Sequence, residues 1–238
     1  MPQTQLIGGG NLQPGVPLAV DPFYQAARIA LRPLDYSNVG QLLGHFAVAQ
    51  VSGATLNIGA AGHIGSIRWT DTTRYLVLMR IRAGWSVTAA VTAAVPADLR
   101  AIIARGFTVD FTTASTAANL AAVTKTAQMR GTMNASLMTT NGPRICTTTV
   151  MSGQTMTVDA DPFAMVVWPN QPSGNATVTQ AVGVAGIMQT VYEWTALGQH
   201  PVVLSQNEGV ILQPVTAGVT SGSVKYYFEW QWAEVVVF

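Results

Sequence analysis

The sequence predicts an all-β fold: a jelly-roll-like β-sandwich over residues 35–238, an extended N-terminal arm over residues 1–34, and one or two short helices. Three observations predict it. After Gly222, the residues Val224, Tyr226, Phe228, Trp230 and Trp232 are large and apolar, while Lys225, Tyr227, Glu229, Gln231 and Ala233 between them are mostly polar or small. A period of two over that length describes a strand with one face on a core and the other in water; a helix would scatter the same residues around its circumference. From Asp35 onward, strand-like segments recur with turn signals roughly every ten residues, as they do in sandwiches and barrels. About a dozen strands at hairpin spacing, without βαβ alternation, fit a two-sheet jelly roll better than an immunoglobulin-like sandwich. No fixed-period repeat points to a propeller or β-helix.

Taken in order, residues 1–20 hold Gly8-Gly9-Gly10, Pro14 and Pro17 and show little periodicity. An arm outside the core is expected there, mobile unless a partner captures it. Leu6, Ile7, Leu12, Val16, Phe23 and Tyr24 are its candidate assembly contacts. Asp21 at an N-cap, Pro22 at the first helical position and Pro33 as a stop fit a short helix with Phe23, Ala26, Ala27 and Ala30 on its apolar face. An extended reading of 27–31 fits nearly as well.

Candidate strands follow at 45–51, 64–69, 74–82, 85–92 and 107–112. The segment 74–82 (RYLVLMRIR) is almost continuously apolar, which suits a central strand. Tyr75, Val77, Met79 and Ile81 are expected on one face, Arg80 and Arg82 on the other. Phe107, Val109 and Phe111 alternate with Thr108 and Asp110, as in a half-buried strand. Between them, VPADLRAIIARG (95–106) suggests one or two helical turns capped by Asp98 and ended by Gly106. Further strands are expected at 123–133, 144–151, 154–158, 163–168, 188–197, 202–205 and 210–215. Asn141-Gly142-Pro143, Ser152-Gly153 and residues 169–175 supply turn chemistry between them. Asn207-Glu208-Gly209 suits a turn or bulge, because Asn and Gly tolerate positive φ. Residues 216–222 form the turn before the last strand.

Only 10% of residues are charged, against roughly a quarter in an average soluble domain. Net charge is +1 and the 12 basic residues are scattered, which is unlike the basic stripe of a nucleic-acid groove. A chain that is 49% hydrophobic with so little charge is expected to bury outer surface against copies of itself or a larger assembly. A merely neutral monomer is the plain alternative. Cys146 is the single cysteine, so no intramolecular disulfide forms, and it is expected within 145–151 as a small hydrophobe. The N-terminus lacks the basic start and apolar run of a signal peptide. A long uncharged tract, 162–192, is broken by Pro169 and Pro172 and reads as no membrane span. Synthesis in a cytosol is expected, with no membrane partner.

Little in the sequence points to chemistry. His45, His63 and His200 are far apart and form no H-x-H pair, so no metal is expected and they read as turn or strand-end residues. Asp159 and Asp161, with Asn170 or Asn175, have the outline of a calcium loop, but Pro162 follows and turn formation is the preferred reading. A glycosidase pair could hide among Glu193, Glu229 and Glu234; solvated strand positions are the plainer reading. The G-x-S-x-G nucleophile elbow is missing, and Gly8–Gly10 lacks the strand and Lys of a phosphate loop. Asn175-Ala176-Thr177 matches a glycosylation triplet by chance. Trp230 and Trp232 read as core. Trp168, beside Pro169-Asn170-Gln171-Pro172, is the tryptophan placed to face a sugar or partner, with packing against its own loop as the alternative. Neither a catalytic residue nor a cofactor follows.

The run HPVVLSQNEGVIL (200–212), the Thr/Gly/Ser turn and the closing strand ending in WAEV resemble the end of structural proteins of tailed double-stranded DNA bacteriophages. The stretch RYLVLMRIRAGWSVTAAVTAAVPADLRAIIARGFTVDFTTAS (74–115) does so too. The resemblance implies a jelly-roll virion protein of the capsid decoration or cement kind, often a trimer, assembled in the host bacterial cytoplasm without catalytic residues. Its implied partners are identical copies and the major capsid protein or neighbouring virion proteins. The Gly/Pro-rich arm exceeds a minimal decoration domain and leaves a tail or portal-proximal position open. The alternative is a carbohydrate- or receptor-binding jelly-roll module of a fibre or tail.

Overall fold

A computed structural model of the chain describes residues 42–55, 58, 61–89, 98–118, 120, 136–138, 142–168, 185–194, 200–215 and 222–236. Two antiparallel sheets make a β-sandwich, and the described residues contain no helix. The five-stranded sheet runs β1 (Leu42–Val51), β12 (Ser223–Val235), β3 (Tyr75–Ala89) and β10 (Val202–Leu204), with β9 (Ala185–Glu193) also on β3. The seven-stranded sheet runs β5 (Ser115–Ala117), β6 (Arg144–Cys146), β2 (Gly65–Trp69), β11 (Glu208–Gln213), β4 (Asp98–Val109) and β7 (Thr155–Val158), with β8 (Ala164–Val167) also on β4.

Strand β12 places its alternating residues as its sequence dictates. Val224, Tyr226, Phe228, Trp230 and Trp232 are at most 1% exposed. The strand pairs with β1 on one side, where Phe46 faces Trp232 and Val48 faces Trp230. On the other side β3 sets Ile81 against Trp230 and Trp85 against Tyr226. Stacked Phe46 and Trp232 rings, 5.6 Å apart, extend the aromatic row onto β1. Each such side chain contributes about 1.5–3 kcal/mol by burial, enough to select one register, since a slip of one residue would turn the row into water.

The opposing sheet approaches closely. A Cβ on Gly65 of β2 would lie 2.6 Å from the Phe228 ring, so the glycine admits the aromatic row against the second sheet.

Several expectations are corrected. Residues 98–106 form most of β4 and not a helix. The strand lies between β11 on one side and β7 and β8 on the other, and ladders on both edges outweigh helix preferences worth only tenths of a kcal/mol per residue. Asp98 caps no helix; its Oδ1 accepts the Val215 N–H at 3.0 Å. Gly106 does adopt positive φ (57°), but within a strand, where the register shifts between Arg105 and Val109.

Segments 74–82 and 85–92 were expected as separate strands, yet β3 runs unbroken through Ala83-Gly84. Gly84 serves close packing there and not a turn: a Cβ would sit 2.7 Å from Met188 Sδ. The face assignment on β3 also changes. Leu76 and Leu78 are core, as are Ile81, Ala83, Trp85 and Val87, because the register shifts at Met79. That bulge moves the inward set from even to odd numbers, so Tyr75 is 39% exposed instead of buried. Likewise Phe107 and Phe111 are buried, but Val109 between them is 44% exposed, beyond the irregularity at Gly106. The expected helix at 21–33 and the expected strand at 123–133 lie outside the described residues.

Trp230→Ala is expected to lower stability by about 3–5 kcal/mol in urea unfolding, whereas Tyr227→Ala, on the outward face, costs less than about 1.5 kcal/mol. Equal losses would contradict the face assignment.

Candidate assembly surface

The outward face of the five-stranded sheet carries a polar cluster at its middle. Glu229 receives Arg80 at 2.8 Å and Arg82 at 3.3 Å, and Gln231 Nε2 donates to it at 2.7 Å. Glu193 lies 3.9 Å from Arg80. Partial burial works against the Glu229 charge, but the hydrogen bonds from Arg80 and Gln231 and the charges of both arginines prevail, and its pKa falls below the ordinary carboxylate value. Nearby, the Ser86 and Tyr227 hydroxyls are 2.9 Å apart.

Segments 110–118 and 142–153 carry β5 and β6 and are tied further to the seven-stranded sheet and to each other. Backbone bridges tie His63 to Met151 and Thr113 to Ser152. Close by, Phe107 and Phe111 meet edge to face at 5.7 Å, His63 lies against Phe111, and the Arg68 guanidinium covers Phe107 at 5.6 Å. Arg144 Nε is 2.9 Å from Asp110 Oδ2 in a largely buried pair. Burial raises the Asp110 pKa despite Arg144, and burial lowers that of His63. His63 Nδ1 and Gln213 Nε2 are 2.9 Å apart. On the exposed strand positions, Arg105 joins Asp159 (3.0 Å) and Glu208 (2.9 Å).

Expected site residues fall as follows. Asp159 is engaged by Arg105, and Asp161 is exposed. Glu193 and Glu229 face outward around Arg80, but Glu234 corrects the expectation of a solvated position: it is fully buried. Its carboxylate accepts the Ser136 hydroxyl, the Leu137 N–H at 2.9 Å and the Trp232 Nε1–H at 3.2 Å. It therefore fastens residues 136–138 onto β12. Burial raises its pKa in spite of these donors. Cys146 is buried and its thiol is pushed up to about 11, chiefly by burial, which leaves it a poor nucleophile. Trp168 is 3% exposed and part of the core, so its ring is no surface platform. His200 is exposed. Leu6, Ile7, Leu12, Val16, Phe23 and Tyr24 lie outside the described residues.

Charges consumed in this way leave two apolar margins. On β8, Met165 (52% exposed) and Val167 (61%) alternate with buried Val166 and Trp168, and Ile187 (75%) stands out on neighbouring β9. The Phe163 and Tyr192 rings, 5.4 Å apart, bring those two strands together. The other margin is β1, at the end of the five-stranded sheet, whose Val51 is 54% exposed. Sequence reasoning found β1 but not that it forms an edge. A signal was present: no Asp, Glu, Lys or Arg occurs from Tyr36 to Ile67.

Comparison with known protein families finds no matching family model, and no curated protein matches the chain.

The native state holds the Glu234 proton more tightly than the unfolded chain, where the ordinary value is 4.5. The stability this contributes is present below that value and is lost as pH rises through the higher folded one. Relative to the parent, Glu234→Gln is therefore expected to gain stability as pH rises above 4.5, read from urea midpoints. A pH-independent difference would refute the assignment.

Proposed function

We propose that the chain is a structural, non-enzymatic virion protein of a tailed bacteriophage, of the capsid decoration or cement kind, that self-associates and binds the shell. One observation carries this reading. Many of the ionic side chains of the sandwich neutralise one another (Arg80 and Arg82 with Glu229, Arg105 with Asp159 and Glu208, Arg144 with Asp110), while large aliphatic side chains stand in solvent on edge strands. Apolar margins of this kind mark contact surfaces.

The strand order supports a virion role by analogy alone. We read β1-β12-β3 with β9 and β10, facing β2-β11-β4 with β7 and β8, as a jelly roll to which β5 and β6 add a ribbon. Capsid and lectin domains share that architecture. The lectin reading has lost Trp168, its one candidate residue, to the core. A glycosidase would need a protonated acid facing an ionised carboxylate. Glu229 has a lowered pKa on the outer face of β12, while Glu234, with a raised one, is buried on the inner face.

In this proposal residues 1–34 hook onto a neighbour or the shell through Leu6, Ile7, Leu12, Val16, Phe23 and Tyr24. Many modest contacts then act together, since linkage raises effective concentration without new chemistry. Light scattering behind size exclusion at micromolar concentration is expected to give a multiple of 25.1 kDa, and a glycan array no signal. A strict monomer would overturn the reading.

A further inference from the structure

We infer that β1 is a docking edge for a second copy of this chain, pairing with that copy's own β1. The inference rests on the self-association proposed above and names the surface that carries it.

Strand β1 is ten residues long and ends its sheet, with no strand on its far side among the described residues. Ser52 N–H donates to Tyr226 O. Counting back along the register, Gln50, Val48 and Phe46 share that hydrogen-bonded phase with β12. The backbone groups of Val51, Ala49 and Ala47 therefore point away from β12, toward the open edge.

Natural sheets blunt such an edge with charge, proline, bulges or short length. The other edge strands here obey that rule: β5, β7, β8 and β10 have three or four residues. β9 carries two register irregularities and Glu193. β1 carries no Asp, Glu, Lys, Arg or Pro, and its one irregularity lies at the Leu42 end.

The observations favour a second β1 as occupant. Pairing two identical strands about a twofold axis sets the residue on the axis against its own copy, so a charge there would meet its own sign; β1 is free of that repulsion. Its edge side chains, Ala47, Ala49 and Val51, are small or aliphatic. The arm fits less well: Pro2, Pro14, Pro17 and Gly8–Gly10 interrupt it, and proline cannot donate to a ladder. A β1–β1 contact continues the sheet from one copy into the next and closes with two copies. It yields pairs and, with a threefold contact elsewhere, a six-copy assembly of the D3 type, about 6 chains.

Sedimentation velocity of the full chain tests this with two variants at one edge position. Ala49→Pro removes an outward donor, while Ala49→Lys leaves the backbone intact and brings like charges together; Thr157→Lys on exposed β7 is the control. The inference expects association of the parent and the control, and at least about tenfold weaker association of both Ala49 variants. Thermal melts at dilute, monomeric concentration should match, and salt should partly rescue Ala49→Lys by screening. A parent that associates as tightly as both variants overturns the β1 assignment while leaving self-association standing. A parent that stays monomeric overturns both. Should Ala49→Pro fail to fold, Ala49→Lys decides alone.

Discussion

The aromatic row of β12 is the constraint on which the rest of the structure depends. Trp230, Trp232, Phe228 and Tyr226 lie on one face of one strand and have no exposure to spare. They demand a neighbour on each side and a sheet across the core. β1 and β3 supply the sides, and β2 can approach because Gly65 leaves room for Phe228. β3 is held in register along almost all of β12, and its bulge at Met79 keeps leucines 76 and 78 inward at one end while Ile81, Ala83 and Trp85 face inward at the other. Filling the middle of the sheet in this way leaves β1 as a long, uncharged margin.

The same economy governs charge. With so few ionic side chains, many of those described are spent within the fold. Some join strands across an outer face, as Glu229 does between Arg80 and Arg82. Others join segments far apart in sequence: Arg144 with Asp110, and Glu234 with residues 136–138. Buried pairs of this kind add little net stability over apolar replacements, but removing one partner strands the other, so they fix where the segments lie. The outer margins are left aliphatic, and a surface of that kind is completed by contact.

Fold class was legible because alternation at a period of two survives as a signal in β12, where the inner face is apolar and the outer face mixed. The turn at Asn207 was legible too, and that residue has φ of 60°. Residues 98–106 misled because β4 is flanked on both edges; its core-facing Leu99 and Ala101 sit among further apolar residues such as Ile102 and Ile103, and short apolar runs have no period that separates strand from helix. The faces of β3 were misassigned because a bulge is set by pairing with β12 and leaves no mark at Met79. Glu234 looked like any outward carboxylate, since the groups that satisfy it come from residues 136–137, far away in sequence. Edge position is likewise a property of sheet order, and its mark in the sequence was indirect: the charge-free run from Tyr36 to Ile67.

If copies of the chain meet along β1, the two phases of that strand behave differently. Amide hydrogen exchange resolved by residue, at dilute and at concentrated protein, separates them most directly. The account predicts slow exchange at Phe46, Val48 and Gln50 at every concentration, and protection at Ala47, Ala49 and Val51 that appears only as concentration rises. Protection at those three that ignores concentration, or never develops in an associated sample, would contradict it.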